Sequence, residues 1–253
     1  MTDRILHCIM LLGERMLVSG AEVHRVEESV MRLCKAYGAV RADVYTTISN
    51  MIITVETEDG RYLTQTCRIQ STGTDIMRLH ELNDLFRRSA AHPPQEEDLL
   101  WELERIDAMR TYPRWLQVLS YAAIAGSFTI FFGGLSWAEL LISFVIGGIV
   151  GVIAQLTAGM AFNKALDRFL CSLAACSLTF LAMRLGWVES GDKIIIGNIM
   201  SLIPGIGLTN ALRDLFTGDV ITGILRSIEA VLLAFAIAAG YIIAVFLLGG
   251  GLA

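Results

Sequence analysis

Arg114-Trp115-Leu116-Gln117-Val118-Leu119-Ser120-Tyr121-Ala122-Ala123-Ile124-Ala125-Gly126 is where the character of this 253-residue chain changes. Of its 45 charged residues (20 basic, 25 acidic), 32 precede Trp115 and 13 follow it. After Arg114 come apolar runs of about 20 residues, the length that crosses a hydrocarbon core roughly 30 Å thick. The reading is an α-helical polytopic membrane protein with an N-terminal cytoplasmic α+β domain. Residues 1–114 form that domain, and residues 115–253 form a membrane domain of five transmembrane helices.

Composition agrees. Hydrophobic residues make up 54% of the chain and mean hydropathy is +0.57, values of a membrane protein rather than a soluble one. The net charge of −5 shows no single-sign block, which excludes a nucleic-acid binder. His7 and Gly13-Glu14-Arg15 interrupt the first apolar run, and no small-residue cleavage site follows, so no signal peptide is expected. The five cysteines form no CxxC pair, and the four histidines are scattered without ligand spacing. Neither a metal nor a cofactor is expected.

Within the first part, Ile5, Ile9, Leu12 and Met16 mark one face of a helix over 3–17. Val23, Val26, Val30 and Leu33 mark a second helix over 21–37, closed by Gly38. The period then becomes two: Val44, Thr46, Ile48, Ile52 and Thr54 predict strands, Glu58-Asp59-Gly60 a hairpin turn, and residues 62–69 the return strand. Helices are predicted again over 75–90 and 96–110. The stretch Ser19-Gly20-Ala21-Glu22-Val23-His24-Arg25-Val26-Glu27 sets a polar cluster at a helix start. Acidic residues in a first helical turn explain much of it. No nucleophile with its base and no phosphate loop accompanies it, so no catalytic residue is assigned and no enzyme is expected.

The spans are read at 115–134, 137–158, 167–187, 194–212 and 221–248. Trp115, Trp137 and Trp187 stand at span ends, as interfacial anchors do. Basic residues fall in alternate loops: Arg110 and Arg114, then Lys164 and Arg168, then Arg213. The positive-inside rule therefore predicts a multi-pass protein of the plasma (inner) membrane, with its N-terminus and the 160–168 and 213–219 segments cytoplasmic and its C-terminus outside. Gly147 and Gly151 form a GxxxG, read as close helix packing.

Span four differs from the rest. Pro204, Gly205 and Gly207 lie inside its apolar run, so the helix should break there. Backbone freed at membrane depth must be buried in protein or line a wet cavity, and broken helices often supply transporter sites. Asn198, Ser201, Thr209 and Asn210 surround the break. A polar series follows: Arg213-Asp214, Asp219, Arg226 and Glu229. Arg226 and Glu229 stand at i, i+3 and could pair, and both are expected to face the protein interior.

The Ser19–Glu27 stretch, Ala36-Tyr37-Gly38, and the series Pro204-Gly205, Thr209-Asn210, Arg213-Asp214 and Gly218-Asp219 resemble the threonine/serine exporter (ThrE) family. Length and layout look like its YjjP-type split subunit. The resemblance covers nearly the whole chain. It implies export of small amino acids or of dicarboxylates such as succinate, an oligomer, and a small companion membrane subunit of about four spans. For such an exporter the substrate pathway is expected at the broken span four and the polar series after it, where Asn198, Ser201, Thr209 and Asn210 offer neutral hydrogen bonds. Amides freed by Pro204, around Gly205 and Gly207, face a carboxylate. Arg213 or Arg226 supplies positive charge, and Asp214, Asp219 or Glu229 carries a coupling proton. In the cytoplasmic domain the resemblance marks Ser19, Gly20, Glu22, His24, Arg25 and Glu27. The alternatives are a membrane-anchored enzyme and a ligand sensor, each acting through the N-terminal domain.

Overall fold

The computed structural model describes residues 1–70, 72–110, 112–159 and 163–249. Residues 160–162 of the expected 160–168 loop, and the expected outward C-terminus at Ala253, lie outside the described residues. The chain forms two compact units: Met1–Arg110 with Leu208–Ser227, and Thr111–Gly207 with Ile228–Ala253.

The first unit begins with α1 (Asp3–Val18), capped by Thr2, whose side chain accepts from the Ile5 amide. Leu6, Ile9, Leu12 and Met16 recur at helical spacing and are fully buried. The helix ends at Gly20, with φ +96°. A side chain there would also collide with the Gly73 carbonyl, since an added Cβ comes 2.7 Å from it. Next, α2 (Val23–Ala36) buries Val23, Val26, Val30 and Leu33 and stops at Gly38, φ +83°. Strands β1 (Ala39–Thr46), β2 (Asn50–Thr57) and β3 (Tyr62–Arg68) form an antiparallel sheet in the order β1-β2-β3. Central β2 turns Met51, Ile53 and Val55 into the core. Ile48, read as strand, belongs instead to a tight turn, where Thr47 Oγ1 accepts from the Ser49 and Asn50 amides. Helices α3 (Ile76–Ala91) and α4 (Glu96–Asp107) complete the main body of this unit.

The second unit holds α5 (Arg114–Phe131), α6 (Trp137–Gly159), α7 (Lys164–Arg184) and α8 (Asp192–Met200). The GxxxG does pack helices. An added Cβ at Gly147 would lie 2.6 Å from the Ala125 Cβ, and one at Gly151 2.9 Å from the Tyr121 Cβ. Gly240, on α10 (Val220–Ala244), lets that helix approach the α7 backbone at Phe169 in the same way.

Among the described residues three helices are long and apolar enough to cross a membrane: Trp137–Ala158, Lys164–Arg184 and Val220–Leu248. A fourth crossing is available if α8 and α9 (Gly205–Thr217), bent by 56° at the Ser201–Pro204 break, count as one. The expected kink at Pro204 is therefore present. The 18-residue α5 is not among the three, because Arg114, Gln117, Ser120 and Ser127 dilute its apolar run. Its length is about 27 Å at ~1.5 Å per residue, slightly short of a typical core.

Candidate functional site

Leu208–Ser227 folds with the N-terminal residues, and this brings the two polar motifs together. Gly218, φ +99°, reverses the chain between α9 and α10. Gly223 then lets α10 lie against α9, with its would-be Cβ 2.6 Å from Leu215 Cγ and 2.9 Å from the Ala211 carbonyl. This tight helical elbow aims Arg226 back at α9. Its guanidinium donates to Asp214 Oδ2 at 2.9 Å and to the Ala21 carbonyl at 3.1 Å. Ala21 offers that carbonyl because Gly20 has just turned the chain out of α1. The pair is buried: the Asp214 side chain is 1% exposed and that of Arg226 11%.

A second bond lies beside the first. Glu22, the N-cap of α2, makes no side-chain cap of its own; its carboxylate accepts from Arg213 Nη1 at 2.7 Å. Unlike Asp214, this pair reaches solvent through the exposed Arg213. Glu27 turns inward, where its Oε1 accepts from the Thr46 amide at 2.7 Å. Burial raises the Glu27 carboxyl above its ordinary range; the Thr46 amide opposes this, Asp219 pushes it further up and His24 pulls it down. Asp219 Oδ2 is buried without a hydrogen-bond partner. Five residues of the sequence-marked sets thus share one cluster in this unit: Glu22, Arg213, Asp214, Arg226 and, through its carbonyl-bearing neighbour Ala21, the Gly20 turn. Ser19 is structural, accepting the Asp75 amide on its carbonyl. His24 and Arg25 are exposed.

The other marked residues are placed elsewhere. Asn198 is fully buried in the second unit and donates to Ser143 Oγ at 3.1 Å and to the Ile194 carbonyl at 2.9 Å. Ser143 in turn meets Thr129 Oγ1 at 2.6 Å. This node ties α5, α6 and α8 together, and Ser201 extends it by donating to the Asn198 carbonyl at 2.8 Å. The Asn198 Oδ1 remains without a partner. Thr129 and Ser143 carry no motif; their only signal is a hydroxyl inside an apolar run. Around the break, Gly205, Gly207 and Thr209 are exposed and Asn210 is half-buried. An added Cβ at Gly205 meets nothing within 4 Å.

The expected Arg226–Glu229 pairing is corrected. Arg226 is committed to Asp214, while Glu229 accepts from Lys164 Nζ at 2.8 Å. At i, i+3 two side chains are neighbours, but a buried carboxylate on the facing helix outbids a half-exposed one on the same helix. Lys164 was read only as a topology signal.

Among the described residues no group of three or more His, Cys, Asp or Glu side chains is placed to hold a metal ion. The cluster holds guanidinium and carboxylate groups with their partners set, which suits anchoring the elbow.

The profile of a family described as "Putative threonine/serine exporter" matches residues 7–248. Among curated relatives, "Probable succinate transporter subunit YjjP" of Escherichia coli (strain K12) is 27% identical over 94% of this chain and 92% of its own length. Its namesake from Klebsiella aerogenes is 26% identical over 92% and 90%. The "Threonine/serine exporter" of Corynebacterium glutamicum is 26% identical over 90% of this chain but 48% of its own length. No solved structure matches. With both polar motifs inside the matched region and apolar helices behind them, this membrane protein belongs to the threonine/serine exporter family.

Proposed function

We propose that the chain is one subunit of an inner-membrane exporter of small amino acids or dicarboxylates, completed by a small companion membrane subunit. The buried Arg226–Asp214 pair carries this reading, because it anchors the elbow after the broken helix to the turn that opens the N-terminal motif. A scaffold or anchor has no need of such a link. A transporter needs its pathway helices coupled to an element that can be moved. The pathway runs past the break at Pro204, where the start of α9 presents amide groups with a favourable field for a carboxylate. Asn198 and Ser201 stand before the break, and Thr209, Asn210, Arg213, Asp214, Asp219, Arg226 and Glu229 after it.

Parity supports five spans, and the basic residues in alternate loops support an N-terminus inside. Residues 208–227 share a unit with residues 1–110, so both lie on one side of the bilayer and an even number of crossings separates them. Helices α5, α6, α7 and α8 with its break supply four, and α10 makes the fifth. The similarity to about half of the full-length exporter supports a split arrangement with a partner.

The test is efflux of succinate and of threonine from vesicles containing this chain and its four-span companion. Export by the pair, and its loss in Gly205→Leu with normal membrane insertion, is the expected result. Vesicles that release neither compound would sink the exporter reading, and full activity in Gly205→Leu would reduce the break to a packing kink.

A further inference from the structure

Arg25 is a motif residue that the proposed pathway leaves unused. It lines a cleft of about 430 Å³ between α2 and α3, together with Arg32, His80 and Arg87. That volume falls within the ~300–1,000 Å³ of small-molecule sites. The charge of the lining is one-sided: three arginines face one carboxylate, Glu28, a surplus of two positive charges on a chain whose net charge is −5. Glu28 is already bonded to Arg32 at 2.7 Å. Among the described residues Arg25 has no carboxylate within ion-pair distance, and the Asp84 oxygen beside Arg87 is 3.8 Å away. The floor is apolar, formed by buried Phe86 and half-buried Leu79.

We propose that this cleft binds a short-chain dicarboxylate, as a site on the soluble domain separate from the transport pathway. Guanidinium groups match carboxylates in bidentate geometry. Arg25 and Arg32, seven residues apart, stand about 10 Å apart along α2, so two anionic ends can be held while a hydrocarbon middle lies on Phe86 and Leu79. Inorganic phosphate fits less well. A single phosphate is too short to bridge two guanidinium groups about 10 Å apart. The site also has a route to the rest of the protein: α2 begins at Glu22, the partner of Arg213. A ligand that shifts α2 would load or relax that ion pair, so a cytoplasmic dicarboxylate pool could set exporter activity.

Binding is measured without transport, so its failure is separate from failure of the exporter reading. The full-length chain in detergent is titrated calorimetrically with succinate, L-threonine and inorganic phosphate. Succinate is expected to bind, and Arg25→Gln and Arg32→Gln each to weaken it roughly tenfold or more, the loss of one charged hydrogen bond. Arg41→Gln, on the sheet beside Asp43, should change nothing. In Ser29→Cys, succinate should slow maleimide labelling several-fold, and should fail to do so once Arg25→Gln is added. Both arginines are exposed, so the variants should fold, and unchanged thermal melting verifies it. If either fails to fold, protection of Ser29→Cys with all arginines intact decides the matter. Unweakened succinate binding in both variants, no protection at Ser29→Cys, or tighter binding of phosphate than of succinate would each overturn the site.

Discussion

Two ion pairs lie where the two sequence motifs meet, and their surroundings make them unequal. Arg213 and Glu22 meet at 2.7 Å with the arginine in solvent, a setting worth about 0–1 kcal/mol. Arg226 and Asp214 meet inside the protein, where removal of one partner strands a charge at a cost of about 3–5 kcal/mol. Glu22→Gln should therefore leave thermal stability nearly unchanged, so any loss of efflux in it reports on function. Arg226→Gln and Asp214→Asn should each lower the melting temperature and the amount of inserted protein, and the double variant should recover part of both. A double variant as unstable as the sum of the two would show that the groups do not depend on each other.

Glu27 gives a pH signature. Its carboxyl is raised above 4.5 by burial, so the folded state binds that proton more tightly than the unfolded chain. A raised acid is the opposite of a salt-bridged one: its contribution is present below the unfolded value and is lost as pH rises through the folded value. Glu27→Gln keeps an oxygen for the Thr46 amide and removes the charge that burial penalises. Melting of the full chain from pH 4 to pH 8 should decline in the parent above about 4.5 and decline less in Glu27→Gln. Parallel curves for the two proteins would mean that Glu27 titrates normally.

At the scale of elements, glycine separates packing from pathway. A methyl group at Gly197 would overlap Thr129 Oγ1 and come 2.8 Å from the Ala125 carbonyl, so α8 would have to leave α5. Overpacking of this kind costs about 1–3 kcal/mol. At Gly205 the same methyl group meets open space. Gly197→Ala should lower the melting temperature by several degrees and Gly205→Ala should not; equal effects would contradict the packing described here. The same contrast explains what could be read in advance. The stripes of α1 and α2 and the break at Pro204 were visible because apolar spacing and proline act locally. The turn at Thr47–Ser49 was missed because a β-branched run hides it and a threonine side chain, not glycine, closes it. The partners of Asn198 and Glu229, namely Ser143 and Lys164, were illegible for a different reason. Each pair is more than 50 residues apart in sequence, and only helix packing joins them.

For the whole molecule the open quantity is the number of crossings, and it turns on α5. The three clear spans do not include it, yet parity calls on it. Trp115 near its start suits an interfacial anchor, and local thinning of the bilayer accommodates a few missing ångströms at modest cost. The alternative places α5 flat on one side, which would reverse every later loop relative to the N-terminal domain. Single cysteines distinguish these directly. Cys8, Cys34, Cys171 and Cys176 are buried, so Cys67→Ser gives a quiet background. In it, Ser49→Cys and Asn163→Cys should react with a membrane-impermeant maleimide only after the cytoplasmic side is opened, and Ala253→Cys should react in intact cells. If Ser49→Cys and Asn163→Cys react from opposite sides, α5 does not cross, and both the five-span arrangement and the parity argument fall with it.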